Sequence, residues 1–385
     1  MGEQYWIINF ICVFILSVLF AGIIIPQILM VAFKRKLFDD LGERKVHHGK
    51  IPRLGGLSFN PCVFLSVVLV FGINIALGYH EISIELMKYL RPLAFGTCAI
   101  LLIYLVGLLD DLIGVRYRAK FIMQIICATM FVFGNLWLNN LHGLFGIYKL
   151  PVLIGCLFTI LLTVAIINSV NLIDGIDGLA SGLSSIAFLF YGFAFYQQEN
   201  YFYSMLAFST LGVLVTFFYY NVFGNPNKHK KIFMGDTGSL TIGMMLCFLS
   251  ISLADGEFSN NVGKPNILVL SFAPLCIPCC DLARVYFYRL RHKKNPFLPD
   301  KNHIHHKLLA LGFSQSKVRN IIVSFSLLLT TCNILLSIYI NINWLLFGDI
   351  LLWTIINIWL SRTIKNNKVK LLQTTKPSCH MQAKI

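Results

Sequence analysis

Apolar segments of about 20 residues recur along the whole chain, and this repetition constrains the fold more than any other feature, because a helix of about that length crosses the hydrocarbon core of a bilayer. Hydrophobic residues make up 57% of the chain and charged residues only 13%, which excludes a soluble globular domain. The sequence therefore predicts an all-α, polytopic integral membrane protein with about eleven transmembrane helices. The predicted spans are residues 5–33, 54–78, 92–109, 121–138, 152–170, 179–196, 202–220, 238–254, 266–287, 320–340 and 344–360.

Lysine and arginine are distributed unevenly between alternate loops. Segments 34–53, 110–120, 221–237, 284–319 and 361–385 hold 28 of the 32 basic residues. The positive-inside rule places these segments in the cytoplasm, with the N-terminus outside and the C-terminus inside. The net charge of +15 is therefore a topology signal, and its dispersal over membrane-edge loops argues against nucleic-acid binding. We predict one integral membrane domain over residues 1–362 and a basic, flexible cytoplasmic tail over residues 363–385.

Several carboxylates fall at the predicted cytoplasmic ends of the apolar segments. Five of the 17 acidic residues occupy such positions: Asp110, Asp111, Asp174, Asp177 and Asp236. Carboxylates near a bilayer are costly and normally face a polar cavity or a bound ion. Five of them on one membrane face therefore predict one shared site.

The segment Phe233-Met-Gly-Asp-Thr-Gly-Ser-Leu240 opens directly into an apolar span. Its glycines allow a ligand to approach the backbone closely, and the following helix directs free N–H groups towards that ligand. A carboxylate here, Asp236, suits a hard cation such as Mg²⁺, which shares its oxygen ligands with phosphates. The segment predicts phosphate chemistry at a membrane surface.

Asp110 and Asp111 admit two interpretations. They could end their span by capping it or by pairing with Arg116 and Arg118. Paired carboxylates also suit metal–phosphate chemistry or proton removal, because one raises the pKa of the other. The pair by itself leaves both interpretations open.

Amides and acids recur at a spacing of three residues in a second polar segment. Asn168, Asn171 and Asp174 would share one helix face. The Asp-Gly steps at Asp174 and Asp177 then interrupt the helix, which a membrane tolerates only where the backbone lines a cavity. The alternative is a plain interhelical turn, which the regular spacing disfavours.

Three histidines, His303, His305 and His306, lie in the most basic loop. Zinc is one interpretation, although no cysteine or glutamate completes a set of four ligands. A solvated loop without a role is another. Beside Arg284, Arg289 and Arg291, the imidazoles would form a cradle for a diphosphate.

The loop that joins the first two spans carries Lys50 and Arg53 and ends in Pro-Arg-Leu-Gly-Gly at Gly56. The two cations could be topology charges alone. The glycines that open the next span indicate a more ordered segment than a plain linker.

Together these segments resemble the polyprenyl-phosphate N-acetylhexosamine-1-phosphate transferases, over about residues 40 to 315. The Asp-Asp, Asn-x-x-Asn-x-x-Asp-Gly-x-Asp-Gly, Gly-Asp-Thr-Gly-Ser and His-x-His-His motifs occur in family order with family-like spacing. The chain is similar to the branch that uses UDP-GlcNAc to start O-antigen, enterobacterial common antigen and teichoic acid linkage units. The related muramoyl-pentapeptide transferase fits less well, because it carries a Thr-Pro-Thr-Met-Gly-Gly type of segment where this chain has Ile51-Pro-Arg-Leu-Gly-Gly56.

The resemblance implies a Mg²⁺-dependent reaction, with Mn²⁺ as an alternative ion, at the cytoplasmic face of the bacterial inner membrane. The phosphate of undecaprenyl phosphate would attack the β-phosphorus of UDP-GlcNAc and displace UMP. Undecaprenyl-diphosphate-GlcNAc would remain in the bilayer as the first lipid intermediate of a cell-surface polysaccharide. A direct single displacement is our hypothesis, and an aspartyl-phosphate intermediate is its alternative. A homodimer is compatible with this interpretation.

The resemblance also assigns roles to residues. Asp236 and Asn171 would hold the metal, and Asp174 and Asp177 would place the uridine and the diphosphate. Asp110 would orient or deprotonate the lipid phosphate, with Asp111 beside it. The remaining groups, expected to bind the substrates and their phosphates, are Lys50, Arg53, Lys120, Asn168, Arg284, His303, His305 and His306.

Three rival interpretations remain at this stage. The same transfer could use another UDP-N-acetylhexosamine, such as a 6-deoxy sugar, because a single hydroxyl is only a modest energy difference to a binding site. The chain could instead be an ion-coupled transporter, although its acids cluster at one membrane face and no inverted repeat is visible. A catalytically inactive scaffold is disfavoured because all the matched motif positions are intact.

Overall fold

The computed structural model describes residues 2–37, 51–256, 264–294 and 302–374, with side chains up to residue 367. Lys50 and residues 375–385 lie outside the described residues. Within the described ranges the chain forms helices joined by turns, with one isolated bridge between Asn140 and Lys149. The helices are α1 (Glu3–Arg35), α2 (Phe59–Ala76), α3 (Glu81–Lys88), α4 (Leu90–Ile113), α5 (Tyr117–Phe133), α6 (Val152–Ile173), α7 (Leu179–Gln197), α8 (Tyr201–Phe218), α9 (Gly235–Ala254), α10 (Ile267–Phe272), α11 (Cys276–Arg291), α12 (Ile304–Ala310), α13 (Gln315–Leu336) and α14 (Ile342–Thr374).

Ten helical segments in the described ranges are long and apolar enough to cross a membrane. The predicted span at residues 121–138 corresponds to α5, which has only 17 residues. At about 1.5 Å per residue this helix is roughly 26 Å long, somewhat less than the hydrocarbon core of a typical bilayer. The prediction of an all-α polytopic membrane protein is confirmed, while the orientation of its termini stays a prediction.

The outer surface of the bundle is apolar. Large side chains on α1 and α6 are more than half exposed, including Leu19 at 54%, Ile23 at 62%, Leu153 at 72% and Leu161 at 69%. Monomeric soluble proteins rarely expose contiguous apolar surface on this scale. Such helix faces are suited to contact with lipid.

Helix α9 is the central helix of the bundle, and every residue from Thr237 to Ala254 is buried. It packs against α4 and α6. Glycines permit these close crossings: a Cβ at Gly107 would lie 2.5 Å from the Thr237 Cα, and a Cβ at Gly243 would lie 2.8 Å from the Ile167 Cα. The C-terminal ends of α4 and α6 therefore meet the N-terminal end of α9.

The segment before α2 binds to the turn before α9. The Phe233 amide donates to the Pro52 carbonyl at 2.9 Å, and the Gly56 amide donates to the Met234 carbonyl at 2.9 Å. A Cβ at Gly56 would lie only 2.0 Å from the Gly238 nitrogen, so no larger residue fits. The ordered character predicted for this segment follows from these contacts.

The ninth predicted span is broken at a proline. A 3₁₀ turn at Ala273–Leu275, which contains Pro274, separates α10 from α11. Helix α11 then leads towards the histidine segment at the start of α12. The predicted boundary at residue 362 lies inside α14, which continues to Thr374, and the division into a domain and a tail stays a prediction.

Candidate active site

Two carboxylates and one ammonium group meet where α4, α5 and α9 converge. The Lys120 Nζ donates to the Asp110 Oδ2 at 2.8 Å and lies 3.7 Å from the Asp236 Oδ2. The Asp110 Oδ1 accepts from the Val115 amide at 2.6 Å. The carboxyl groups of Asp110 and Asp236 are within hydrogen-bonding reach of each other. One lysine therefore offsets two closely spaced acids.

Asn171 in the last turn of α6 completes this cluster. Its Nδ2 donates to the Asp236 Oδ1 at 2.5 Å and to the Ser239 Oγ at 2.8 Å. In this arrangement the amide orients Asp236. It would reach a metal only through its oxygen, after a rotation of the amide.

The donor set fits a magnesium ion that is shared with a substrate. The described part of the chain contains no group of three His, Cys, Asp or Glu residues that could hold a metal by themselves, which disfavours the zinc interpretation of the histidines. Mg²⁺ is usually bound by one or two carboxylates, and phosphates and waters supply its other ligands. Asp236 and Asp110 provide such a pair, and an added cation would offset their mutual repulsion.

Asp111 caps α9. Its Oδ1 accepts from the Asp236 amide at 2.8 Å, and its Oδ2 accepts from the Thr237 amide at 2.8 Å and the Thr237 hydroxyl at 2.6 Å. Gly235 turns the chain into this helix with a positive φ of 73°, and a Cβ there would lie 2.5 Å from the Asp111 Oδ2. Asp111 therefore fixes the position of Asp236, and Thr237 is a partner that the sequence did not predict.

We expect Asp111→Ala to lower the free energy of unfolding by about 2–3 kcal/mol, because it removes a charged acceptor from three donors at a helix N-terminus. The matched variant Asp111→Asn keeps an acceptor oxygen and should lose less. Thermal unfolding of the two purified variants in detergent measures the difference. Equal stability of the alanine variant and the unaltered protein would show that the cap contributes nothing.

Asp174 ends α6 and faces the same cluster. Burial, followed by the charges of Asp236, Asp177 and Asp111, raises its pKa well above the ordinary value of an aspartate, and Arg53 acts in the opposite direction. The raised pKa shows that these buried carboxylates are close enough to disfavour one another's ionised forms. Such a site is suited to a cation.

Asp177 belongs to a neighbouring network. The Lys231 Nζ donates to its Oδ2 at 2.6 Å, and the Arg319 Nη1 donates to its carbonyl at 3.5 Å. The Asn221 side chain accepts from the Gly178 amide at 2.6 Å. In the sequence analysis Lys231 was only one of the basic loop residues that indicate the membrane topology. No sequence signal distinguished Asn221 or Arg319.

The histidine segment lies against the Asp-Gly loop. A Cβ at Gly175 would lie 2.6 Å from the His305 Nε2, so this imidazole sits directly against Gly175, the residue after Asp174. The His303 and His305 rings are stacked, with centroids 5.8 Å apart and an angle of 9° between the rings, and the His306 centroid lies 4.2 Å from that of His305. Burial and the charges of His306 and His303 lower the pKa of His305 to about 3, so this ring is neutral near pH 7.

Most of the predicted site residues are brought to one end of the bundle. Asn168 lies one helical turn before Asn171, and its Nδ2 donates to the Gln124 Oε1 at 2.6 Å. Arg284 is held by Asp281, a buried acid that the sequence did not single out. The roles assigned to these residues remain proposals.

The sequence of the chain is similar to a known family and to several of its members. The model of glycosyl transferase family 4 matches residues 93–254. The undecaprenyl-phosphate alpha-N-acetylglucosaminyl 1-phosphate transferase of Escherichia coli O157:H7 is 31% identical over 310 residues, which cover 79% of this chain and 78% of that protein. The protein of the same description from Yersinia pestis is 31% identical over 74% of this chain and 72% of its own length. A probable undecaprenyl-phosphate N-acetylglucosaminyl 1-phosphate transferase of Bacillus subtilis strain 168 is 31% identical over 80% and 79%.

Proposed function

Because the chain belongs to glycosyl transferase family 4, we propose that it transfers N-acetylglucosamine 1-phosphate from UDP-GlcNAc to undecaprenyl phosphate and releases UMP. It is a multi-pass membrane protein, and its relatives support phospho-sugar transfer as the reaction class. The observation that carries the proposal is the cluster of Asp110, Lys120, Asn171 and Asp236, which lies in a chain similar to these transferases over most of its length.

Phosphoryl transfer requires positioning and charge neutralisation more than covalent chemistry from a protein. Asp236, oriented by Asn171, would hold Mg²⁺ or Mn²⁺ together with the donor diphosphate. When bound, the ion supplies a Lewis acid that neutralises charge on the phosphoryl oxygens. Lys120 adds a fixed positive charge between the two carboxylates.

Asp110 has two possible tasks at the acceptor. Its Oδ1 and Oδ2 are both engaged, by the Val115 amide and by Lys120, so its orientation is fixed. A phosphate monoester is already mostly a dianion at pH 7, because its second pKa is about 6. We therefore propose that Asp110 orients the lipid phosphate and makes at most a small contribution as a base.

The histidine segment would bind the phosphate oxygens of the donor. His305 is neutral and lies beside the Asp-Gly loop, so it can donate one hydrogen bond without adding charge. Asp174 and Asp177 would place the uridine and the diphosphate on the other side. Displacement of UMP then proceeds in line, without a covalent enzyme intermediate.

The proposal also covers the membrane face at which the reaction takes place and the use of its product. The basic loops support a site at the cytoplasmic face of a bacterial inner membrane, where UDP-sugars are dissolved. The lipid acceptor would arrive laterally through the bilayer. We propose that the product starts a cell-surface polysaccharide.

An assay of UMP release by detergent-purified protein tests this proposal. UMP release is measured with UDP-GlcNAc, undecaprenyl phosphate and Mg²⁺, and each substrate is omitted in turn. We expect release that depends on both substrates, stops with EDTA and returns with added Mg²⁺ or Mn²⁺. Release with a different UDP-N-acetylhexosamine in place of UDP-GlcNAc would change only the donor. The absence of release with every donor would reject the proposal.

We expect Gly175→Ala to lower UMP release about 10- to 100-fold, because the added methyl group would lie 2.6 Å from the His305 Nε2 and displace that ring. The control is Gly72→Ala, whose Cβ would meet nothing within 4 Å. Initial rates of both variants at saturating substrate make the comparison. Full activity of the Gly175 variant would mean that the position of His305 is not critical.

A further inference from the structure

We infer that Asp281 is a positioning residue for the reaction, fixing the tautomer and orientation of His303 from α11. This inference rests on the proposed function. Asp281 is only 2% exposed and lies far from both Asp110 and Asp236 in the sequence. A carboxylate buried in this way is costly unless several donors reach it.

The donors that reach Asp281 come from two parts of the chain. The Arg284 Nη2 donates to its Oδ1 at 2.8 Å, one turn along the same helix. The His303 Nδ1 lies 2.8 Å from its Oδ2, and the Ile304 amide lies 3.1 Å from its Oδ1. Asp281 therefore joins α11 to the first turn of α12, at the residue that begins the histidine motif.

The carboxylate determines which nitrogen of His303 carries the proton. An ionised carboxylate only accepts hydrogen bonds, so the Nδ1 of His303 must donate. When the ring is neutral, the Nε2 carries no proton and can only accept a hydrogen bond. When the ring is protonated, the Nε2 also carries a proton and can donate one to a phosphate oxygen.

The remaining nitrogen of His303 is available for a ligand. His303 is 4% exposed, and its Nε2 is buried with no hydrogen-bond partner among the described residues. The Nδ1 of the stacked His305 is also buried with no hydrogen-bond partner among the described residues. Buried polar atoms in native proteins are nearly always hydrogen-bonded, so these two unmatched nitrogens indicate that the histidine segment meets a substrate group during turnover.

Arg284 takes a second role in this arrangement. It donates to Asp281 and also to the backbone carbonyl of Asn302, which precedes His303. The Arg284 guanidinium therefore also fixes the backbone that leads into the histidine segment. The pair of Asp281 and Arg284 would set the approach of the histidine segment to the substrate, while the imidazoles make the contact.

Kinetics of a double-mutant cycle test the inference. Asp281→Asn keeps the size of the side chain but removes the charge and permits either tautomer of His303. We expect it to lower kcat/KM for UDP-GlcNAc about 10- to 100-fold. In the His303→Ala background the same substitution should change kcat/KM by less than about threefold. The interaction between Asp281 and His303 is already lost in that background, so the second substitution has little left to remove. Independent, additive losses would overturn the inference, and so would full activity of the single variant.

A matched variant controls for general effects of acid removal. Asp349 in α14 accepts from the Asn333 Nδ2 at 2.7 Å and has no contact with the histidine segment among the described interactions. Asp349→Asn should leave kcat/KM within about twofold of the unaltered protein, because its described contacts are with Asn333 and Cys276 and not with the histidine segment. An equal loss in both variants would identify a loss of folding as the cause and overturn the positioning role.

A spectroscopic readout does not depend on turnover. The nitrogen chemical shifts of histidine distinguish the two neutral tautomers, and the His303 signals are identified by their loss in His303→Ala. We expect His303 protonated at Nδ1 in the unaltered protein and a mixture in Asp281→Asn. Protonation only at Nε2 in the unaltered protein would overturn the inference, even if the Asp281 variant fails to fold. The tautomer can be measured whether or not UMP release supports the proposed function, so the two failures are distinguishable.

Discussion

Asp236→Ala should lower UMP release by at least about 10³-fold while the protein remains folded, because it removes the carboxylate that best fits a divalent cation. Asp236 lies at the N-terminus of the buried helix α9, where Asn171 and Lys120 surround it. The substitution also leaves the Asp111 cap intact, since that cap uses the backbone amide of residue 236. The comparison is made with initial rates at saturating UDP-GlcNAc and Mg²⁺.

The control for this variant lies at the other end of the same helix. Asp255 follows the last residue of α9 and accepts from the Asn139 Nδ2 at 2.6 Å. Asp255→Ala should retain UMP release within about threefold, as expected for a substitution far from the site. A tenfold or smaller loss in Asp236→Ala would exclude this carboxylate as the principal metal ligand.

Asp110→Asn should lower UMP release about 10²- to 10³-fold. The substitution removes the charge that holds Lys120, so the ammonium group would pair with Asp236 and compete with the cation there. It also removes one member of the pair of carboxylates expected to meet the substrates. The affinity for Mg²⁺, measured from the dependence of the rate on its concentration, should fall as well.

Glu85 offers a matched control for the loss of an ion pair. It binds Lys88 at 2.7 Å in α3, on a different part of the bundle, and its side chain is 4% exposed. Glu85→Gln should reduce stability without changing the dependence of the rate on Mg²⁺. If Asp110→Asn shows an unchanged Mg²⁺ dependence and a rate within tenfold of the unaltered protein, Asp110 has no part in the reaction as proposed.

The sequence predicted the membrane helices because apolar length is a property of each segment alone. It also predicted that the acids of α4, α6 and α9 share one site, because the topology places the ends of these spans on one face. The end of α5 was predicted five residues too late, since residues 134–138 are apolar in part but follow the helix, which ends at Phe133. A turn at Gly134 ends the helix there.

The partners of these acids could not be predicted, because they depend on tertiary packing. Lys231 was indistinguishable from other loop cations until the structure placed it 2.6 Å from Asp177. Asp281 lies in α11 with no recognised motif around it, and its partner His303 is 22 residues further along the chain. Asn168 shares a helix face with Asn171, as predicted, but it lies one turn deeper and pairs with Gln124.

The fate of the donor's β-phosphate tests the central claim most directly. UDP-GlcNAc with a radioactive β-phosphate is incubated with the purified protein, undecaprenyl phosphate and Mg²⁺, and the lipid is then extracted. We predict that the label moves into the lipid fraction together with the sugar and that unlabelled UMP remains in water. Label that stays in water as UDP would indicate transfer of the sugar alone and would contradict the proposed phospho-sugar transfer.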